Sequence, residues 1–502
     1  MTGMTTPSGQ VLACTWTNGR ISAVALNGVA LVSAAGYEPF GPVSVWQWGN
    51  GHKTYRDHDL DGRLATWEYR NGASILRREL TWDHANRITA IADPSGTNSA
   101  TYGYDVLDRL TSALVNGVSR GYGYDAIGNR TQSNVDAAST TYTYPGTSHR
   151  LQSLTGATTR SYVYDAAGNP TQIEAAVHGY NLANRLTSVS SASSASYAIN
   201  GLGQRVAKTV DGVTTRYVYD EQGRLIGEYD QAGTLIQETV WLDDLPIATL
   251  RPTGSGTPTP IAVYYVHADH LGSPRAITRP SDDAIVWRWD NVEPFGASAA
   301  NENPSGQGNF RYDLRFPGQQ YDQETETHYN YFRDYDPTTG RYRQSDPIGL
   351  WGGGATYGYV LADPMRLVDV FGLDITVCYY NDAAGGLGHI GFGLPGERGT
   401  IGFYPIGNAV SSPGVVKPDA QNNQTCKTVP ADPKKDSCMK RCRERRETNP
   451  GQYRLSSRQC TSFVRDCLQE CGIFNGGYTG PAPLPYFHDL VGMSANNCAI
   501  SA

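Results

Sequence analysis

A short unit recurs through most of this chain, and it restricts the fold more than any other feature. It reads Tyr-x-Tyr-Asp, then about four residues with Gly or Asn, then Arg and an apolar residue. Clear copies begin at Tyr102, Tyr122, Tyr162 and Tyr217. Weaker copies sit at Trp82-Asp83, Tyr142, Tyr180 and Tyr197. The second tyrosine falls at 104, 124, 144 and 164, a period of 20. A fixed period of that size predicts stacked supersecondary units rather than one irregular core. Tyr-x-Tyr alternates like a strand, and the following Asp-x-x-Gly stretch carries turn chemistry. Arg-Leu-Thr then opens a returning strand. Each unit is therefore expected to be a β-hairpin, and neighbouring hairpins a continuous antiparallel sheet.

Composition changes abruptly near residue 373. Of 9 cysteines only Cys14 precedes it. Residues 374–502 carry 13 Lys/Arg and 11 Asp/Glu, whereas the whole 502-residue chain has net charge −7. Two segments of different chemistry are joined there. No run of 18 or more apolar residues occurs, so nothing has the length of a membrane-crossing helix. MTGMTTPSGQ lacks the charged start and apolar stretch of a secretory signal, so export without a signal peptide is expected. Mild acidity argues against a general nucleic-acid binder.

The Tyr-Asp units resemble those of RHS/YD-repeat proteins. So do YYVHADHLGSPRAITR (264–279) and FPGQQYDQETETHYNYFRDYDPTTGRYRQSDPIGL (316–350). The resemblance spans roughly residues 36–373. It implies a mainly β fold, with hairpins coiled into a hollow cocoon, and a secreted polymorphic toxin of interbacterial competition, of the kind type VI secretion delivers. The upstream trafficking modules often found in the family are not seen, which suggests a short or orphan member. The expected organisation is a repeat shell over 1–315, an RHS core with a self-cleavage segment over 316–373, and a toxin domain over 374–502.

The junction reads DPIGLWGGGATYGYVLADPMRLVDVFGL, residues 346–373. Read without the family, its two Asp-x-x-Gly-Leu elements are ordinary turns. The resemblance implies an intramolecular aspartyl protease instead. By position, Asp346 and Asp369 match its catalytic pair, and the cut falls between Leu373 and Asp374. Two carboxylates sharing a site cannot both ionise cheaply, so one acts as acid and the other as base on water. The sequence departs from the family pattern at Ala355, at Asp363 and at Val370, which stand for Asn, Asn and Pro.

The tail opens with DITVCYYND, a Gly-rich turn, HIGFGL and, after a second turn, TIGFYP. Three strands are expected, then a loop of about thirty residues, then helices over 436–447 and 457–471. Cys460, Phe463, Val464, Cys467, Leu468 and Cys471 share one helical face. A cysteine in the first turn of a helix is where a thiolate is stabilised, and a strand-borne His389 is a suitable base. This order resembles circularly permuted papain-like hydrolases of the NlpC and lecithin retinol acyltransferase kind, which implies a small α+β domain. Cys460 is then the nucleophile and His389 the base, with Thr400, Tyr404 or the distant His488 left for the third member. Cys438 with Cys471, Cys442 with Cys467 and Cys426 with Cys498 are candidate disulfides, leaving Cys378 and Cys460. Six cysteines allow 15 connectivities. Zinc is a rival for the two C-x3-C pairs, although structural zinc favours other spacings.

Disulfide density points to an oxidising place of action, the periplasm of a target cell or the outside. The expected activity is an amidase or peptidase on peptidoglycan, with no cofactor and no metal. Lipid acyl hydrolysis or transfer is the alternative on the same constellation. A disulfide-rich membrane-active module is the non-enzymatic alternative, and a cytosolic nuclease the weakest. The resemblance also implies a cognate immunity protein and secretion or spike components as partners. Nucleic acid is not expected.

Overall fold

The computed structural model describes residues 3–372, apart from 40–41, 95–97, 291, 348 and 350–353. Beyond residue 372 it describes the backbone of six strands. The chain forms two compact units. One is Met1–Gln344 with Tyr357–Val368, and the other is Ser345–Thr356 with Asp369–Ala502.

The first unit is almost wholly β. Its dominant element is a 28-stranded sheet in which successive strands pair antiparallel. Ala100–Tyr104 and Leu110–Val115 show the pattern, with Tyr102 opposite Ala113. No pairing joins the first and last strands among the described residues, so the sheet is not a closed barrel. It curls so that strands near 240–278 pack on strands near 12–88. Trp48 stacks on Tyr265 at 4.4 Å, and Ser8 donates to Glu238 at 2.7 Å.

The repeat chemistry explains the sheet. In each unit the Asp carboxylate closes the turn. Asp105 accepts from the Leu107 N–H (2.9 Å), the Arg109 N–H (3.0 Å) and Arg109 Nε (2.7 Å). The residue three after the Asp must adopt positive φ, which explains the Gly, Asn or Asp there: Asn86 at 61°, Asp108 at 61° and Gly128 at 94°. The Arg then reaches into the next unit. Arg109 lies 5.0 Å over Tyr124 and donates to the Asp125 carbonyl at 2.7 Å. The hydroxyl of Tyr124 returns a bond to the Leu110 carbonyl at 2.8 Å. Arg63 on Trp82, Arg87 on Tyr104 and Arg224 on Trp241 repeat the stack. A register shift recurs at the second Tyr, at Gly103/Tyr104, Gly123/Tyr124, Val163/Tyr164 and Val218/Tyr219. Such bulges increase strand twist, so a periodic bulge coils the sheet at every unit.

Residues 312–344 leave the sheet and form a separate four-stranded sheet, Gln320–Asp322, Thr327–Asn330, Arg333–Asp336 and Arg341–Tyr342. The segment is buried against the repeats. Trp287, Trp289 and Tyr312 share one apolar cluster with Phe316, Tyr335 and Tyr359.

In the second unit the described tail strands form one sheet of six. Asp374–Tyr380, His389–Gly393 and Ile401–Pro405 match the three expected strands. The expected thirty-residue loop is corrected, since it contains the strands Ser411–Pro418 and Gln424–Pro430. Pro413, Gly414 and Pro418 break the alternation that would have marked the first of them. The expected helices at 436–447 and 457–471 lie outside the described residues.

Candidate self-cleavage junction

The junction begins where the strand Arg341–Tyr342 ends. The Tyr342 N–H donates to the Tyr357 carbonyl (2.9 Å) and the Asp346 N–H to the Thr356 carbonyl (2.7 Å). Residues either side of the glycine-rich stretch are thus held next to each other. The Gly349 N–H bonds the Asp346 carbonyl at 2.9 Å with φ of 65°, so Asp-Pro-Ile-Gly is a tight turn of the kind the repeats use. Asp346 is buried, at 8% exposure, and Asp369 at 1%. Both belong to the second compact unit.

Between them runs a segment of the first unit. Val360, Leu361 and Ala362 have φ of 44°, 53° and 62°, three successive non-glycine residues in the left-handed region. Such a run costs energy at each residue. It is held at both ends, with the Ala362 N–H on the Tyr359 carbonyl and the Asp363 N–H on the Val360 carbonyl, each 2.9 Å. Asp363 stands where the resembling family has Asn. It is 1% exposed, and its Oδ2 accepts from Arg366 Nε at 2.8 Å. Burial pushes its carboxyl up to about 6, against the pull of Arg366. Arg366 also faces Asp108 at 3.7 Å, and His270 Nε2 meets the Met365 carbonyl at 2.7 Å. These contacts fasten 363–366 to the turns of two repeats.

The remaining candidates divide by position. Leu373 lies outside the described residues, and Asp374 opens its strand. His389 opens the next strand, opposite Tyr380. Cys426 lies in Gln424–Pro430, where the register sets it opposite Cys378. Cys438, Cys442, Cys460, Cys467, Cys471 and Cys498 lie outside the described residues. Among the described residues no group of three or more His, Cys, Asp or Glu is placed to hold a metal ion. No helix among them is long and apolar enough to cross a membrane. Sequence reasoning missed Asp363, Arg366 and His270 as junction anchors. Asp363 was legible as a departure from the resembling pattern; the other two had no sequence signal.

A family model described as the Teneurin YD-shell matches residues 71–238. Among curated relatives, the double-stranded DNA deaminase toxin A of Burkholderia cenocepacia is 30% identical over 206 residues, 35% of this chain and 14% of that protein. A probable deoxyribonuclease, RhsA of Dickeya dadantii, is 34% identical over 183 residues, 35% of this chain and 12% of that protein. Toxin protein Tse5 of Pseudomonas aeruginosa is 38% identical over 114 residues, 22% of this chain and 8% of that protein. The chain thus aligns with well under a fifth of the length of each. Among solved structures, TcdB2-TccC3 without its hypervariable C-terminal region superposes with a TM-score of 0.60 at 18% identity. That match covers 74% of this chain and 21% of the other. This last likeness concerns the fold alone.

Proposed function

The chain is an RHS/YD-repeat protein, and from that premise we propose that it is a toxin precursor whose shell segment releases residues 374–502 by self-cleavage after Leu373. One observation carries the reading. Two buried aspartates of one compact unit bracket the end of the repeat shell, and the chemistry of the chain changes a few residues later. In the proposed reaction one carboxylate of Asp346 and Asp369 takes a proton from water. The water oxygen attacks the Leu373 carbonyl carbon. The other carboxyl, protonated, gives its proton to the nitrogen of Asp374 as the C–N bond breaks. Asp346→Asn and Asp369→Asn chains should remain intact at 54.5 kDa while the parent resolves into two fragments by mass spectrometry. A parent chain that stays whole, indistinguishable from the two variants, overturns the reading.

For the released domain, Cys460 as nucleophile with His389 as base remains our first reading. It is supported by the strand start at His389 and the spacing of the two residues. The substrate would be an amide or acyl bond outside the cytosol, with an immunity protein protecting the producer and a secretion apparatus delivering the toxin. The names of two relatives, a DNA deaminase toxin and a probable deoxyribonuclease, favour a second reading in which the cargo acts on nucleic acid. Expressing 374–502 separately in cytosol and periplasm decides between them. Periplasmic killing abolished by Cys460→Ser supports the hydrolase. Killing confined to the cytosol, with DNA damage and no dependence on Cys460, supports the second.

A further inference from the structure

In two repeats a group of this stack is missing, and the same buried segment supplies it in both. In the unit at Asp125 the fourth residue on is Asn129 rather than Arg. Asn129 still bonds the Asp125 carboxylate, at 2.8 Å, but it cannot stack on the next ring, Tyr144. Arg341 does so instead. Its guanidinium lies 4.8 Å over Tyr144, donates to the Tyr144 hydroxyl at 2.5 Å and to Asn129 Oδ1 at 3.2 Å, and caps the His149 carbonyl at 2.6 Å. In the unit at Asn181 the Arg is present, as Arg185, but the ring it should meet is Ile199. Phe332 takes that place, 5.2 Å beneath Arg185. Room for it exists because residue 203 is Gly, where a Cβ would sit 2.8 Å from the Phe332 ring. Arg is absent from this position in other units too, as at Asn169, which is bonded to Asn184 of the following unit at 2.9 Å.

We propose that residues 312–344 are a completing strip for which these two repeats are built incomplete, and that docking of the strip licenses the cut at the junction. The second half rests on the self-cleavage reading. Arg341 and Phe332 fix the strip that runs directly into Asp346. The carboxylate therefore reaches its place only after repeats 125–144 and 181–199 have folded and accepted the strip. An unfinished shell would then keep its cargo covalently attached.

The test is a crossed rescue in the full chain. In the uncleavable Asp346→Asn background, Arg341→Ala and Phe332→Ala should each raise the rate of limited proteolysis within 312–344 about tenfold, through the opened population. Adding Asn129→Arg should restore protection to Arg341→Ala and not to Phe332→Ala. Adding Ile199→Tyr should do the reverse. Asn129→Arg alone should lose protection, because two guanidinium groups then compete for one ring. With Asp346 restored, the fraction of chains cut after a fixed time should fall several-fold in each single variant and recover only with its matching partner. Rescue without selectivity overturns the completing role. Undiminished cutting in the strip variants overturns the licensing role. A parent chain that never cuts removes the self-cleavage reading and the licensing with it, while the proteolysis pattern still decides the completing role.

Discussion

Removing the carboxylate of Asp322 should destabilise the docked strip more than any single surface change. Asp322 is buried with Arg205 and Lys208, its two oxygens 2.5 Å from Arg205 Nη1 and 2.8 Å from Lys208 Nζ. Glu324 lies 3.4 Å from the same lysine. Arg205 also stacks 4.2 Å over Tyr329 and donates to Gln320 at 2.8 Å. With Asp322→Ala, two cations stay out of water, and Glu324 beside Lys208 is the one carboxylate left to them. Breaking such a pair costs about 3–5 kcal/mol, far above the 0–1 kcal/mol of an exposed pair. Native-state hydrogen exchange at the amides of 205–208 and 320–324, in the Asp346→Asn chain, reads the loss as faster opening. The cost arises from an uncompensated charge. Replacing all three residues, Arg205→Met, Lys208→Met and Asp322→Leu, should therefore recover most of it. Burial pushes the Asp322 carboxyl up, but Arg205 and Lys208 outweigh it and hold the group below the usual aspartate value. Its folded value being depressed, the stabilisation is present above about pH 4 and drains away as the pH falls below that. A loss under 1 kcal/mol for Asp322→Ala, or a triple variant as weak as the single, refutes the reasoning.

Three further outcomes are expected. Tyr124→Phe removes the 2.8 Å bond to the Leu110 carbonyl and should cost about 1 kcal/mol in local exchange at 110–124, without changing the Arg109 stack. Burial raises Glu228 to about 7, so its contribution to stability is full below about pH 4.5 and is lost as the pH rises through 7. Glu228→Gln keeps an acceptor for Gln237 and should flatten that loss, gaining up to about 3 kcal/mol at pH 8 in denaturant unfolding. Gly340→Ala places a Cβ 2.3 Å from Arg130 at φ of 64°, and thermal unfolding should show a cost of about 1–3 kcal/mol.

The period of 20, the hairpins and the turn after each Asp were legible in the sequence because all of them are local. The Asp-to-Arg closure spans four residues, and the Arg-to-next-Tyr stack spans fifteen in the unit of Arg109. What could not be read were contacts set by the curl of the sheet. Arg341 meets Asn129 across 212 residues, and Arg185 meets Phe332 across 147. Nothing in the sequence near Asn129 or Ile199 says which distant residue completes their units. At the junction, Asp346 and Asp369 are both buried, whereas the strained turn at 360–362 has no signature in the sequence, since Val and Leu are the last residues expected at positive φ. In the tail, strands rich in valine and aromatics were found, and those interrupted by Pro and Gly were not.

The strip also acts as a ruler. Phe332 and Arg341 are nine residues apart, yet they serve gaps at 199 and 129. The coil between those positions must therefore keep a fixed number of hairpins, or one of the two anchors loses its seat. Duplicating or deleting a whole 20-residue unit between Asn129 and Ile199 would carry one gap away from its filler. Growth or shrinkage of such a shell by unit copying is therefore constrained there by a segment far downstream, even though the added hairpin would match its neighbours at every local contact.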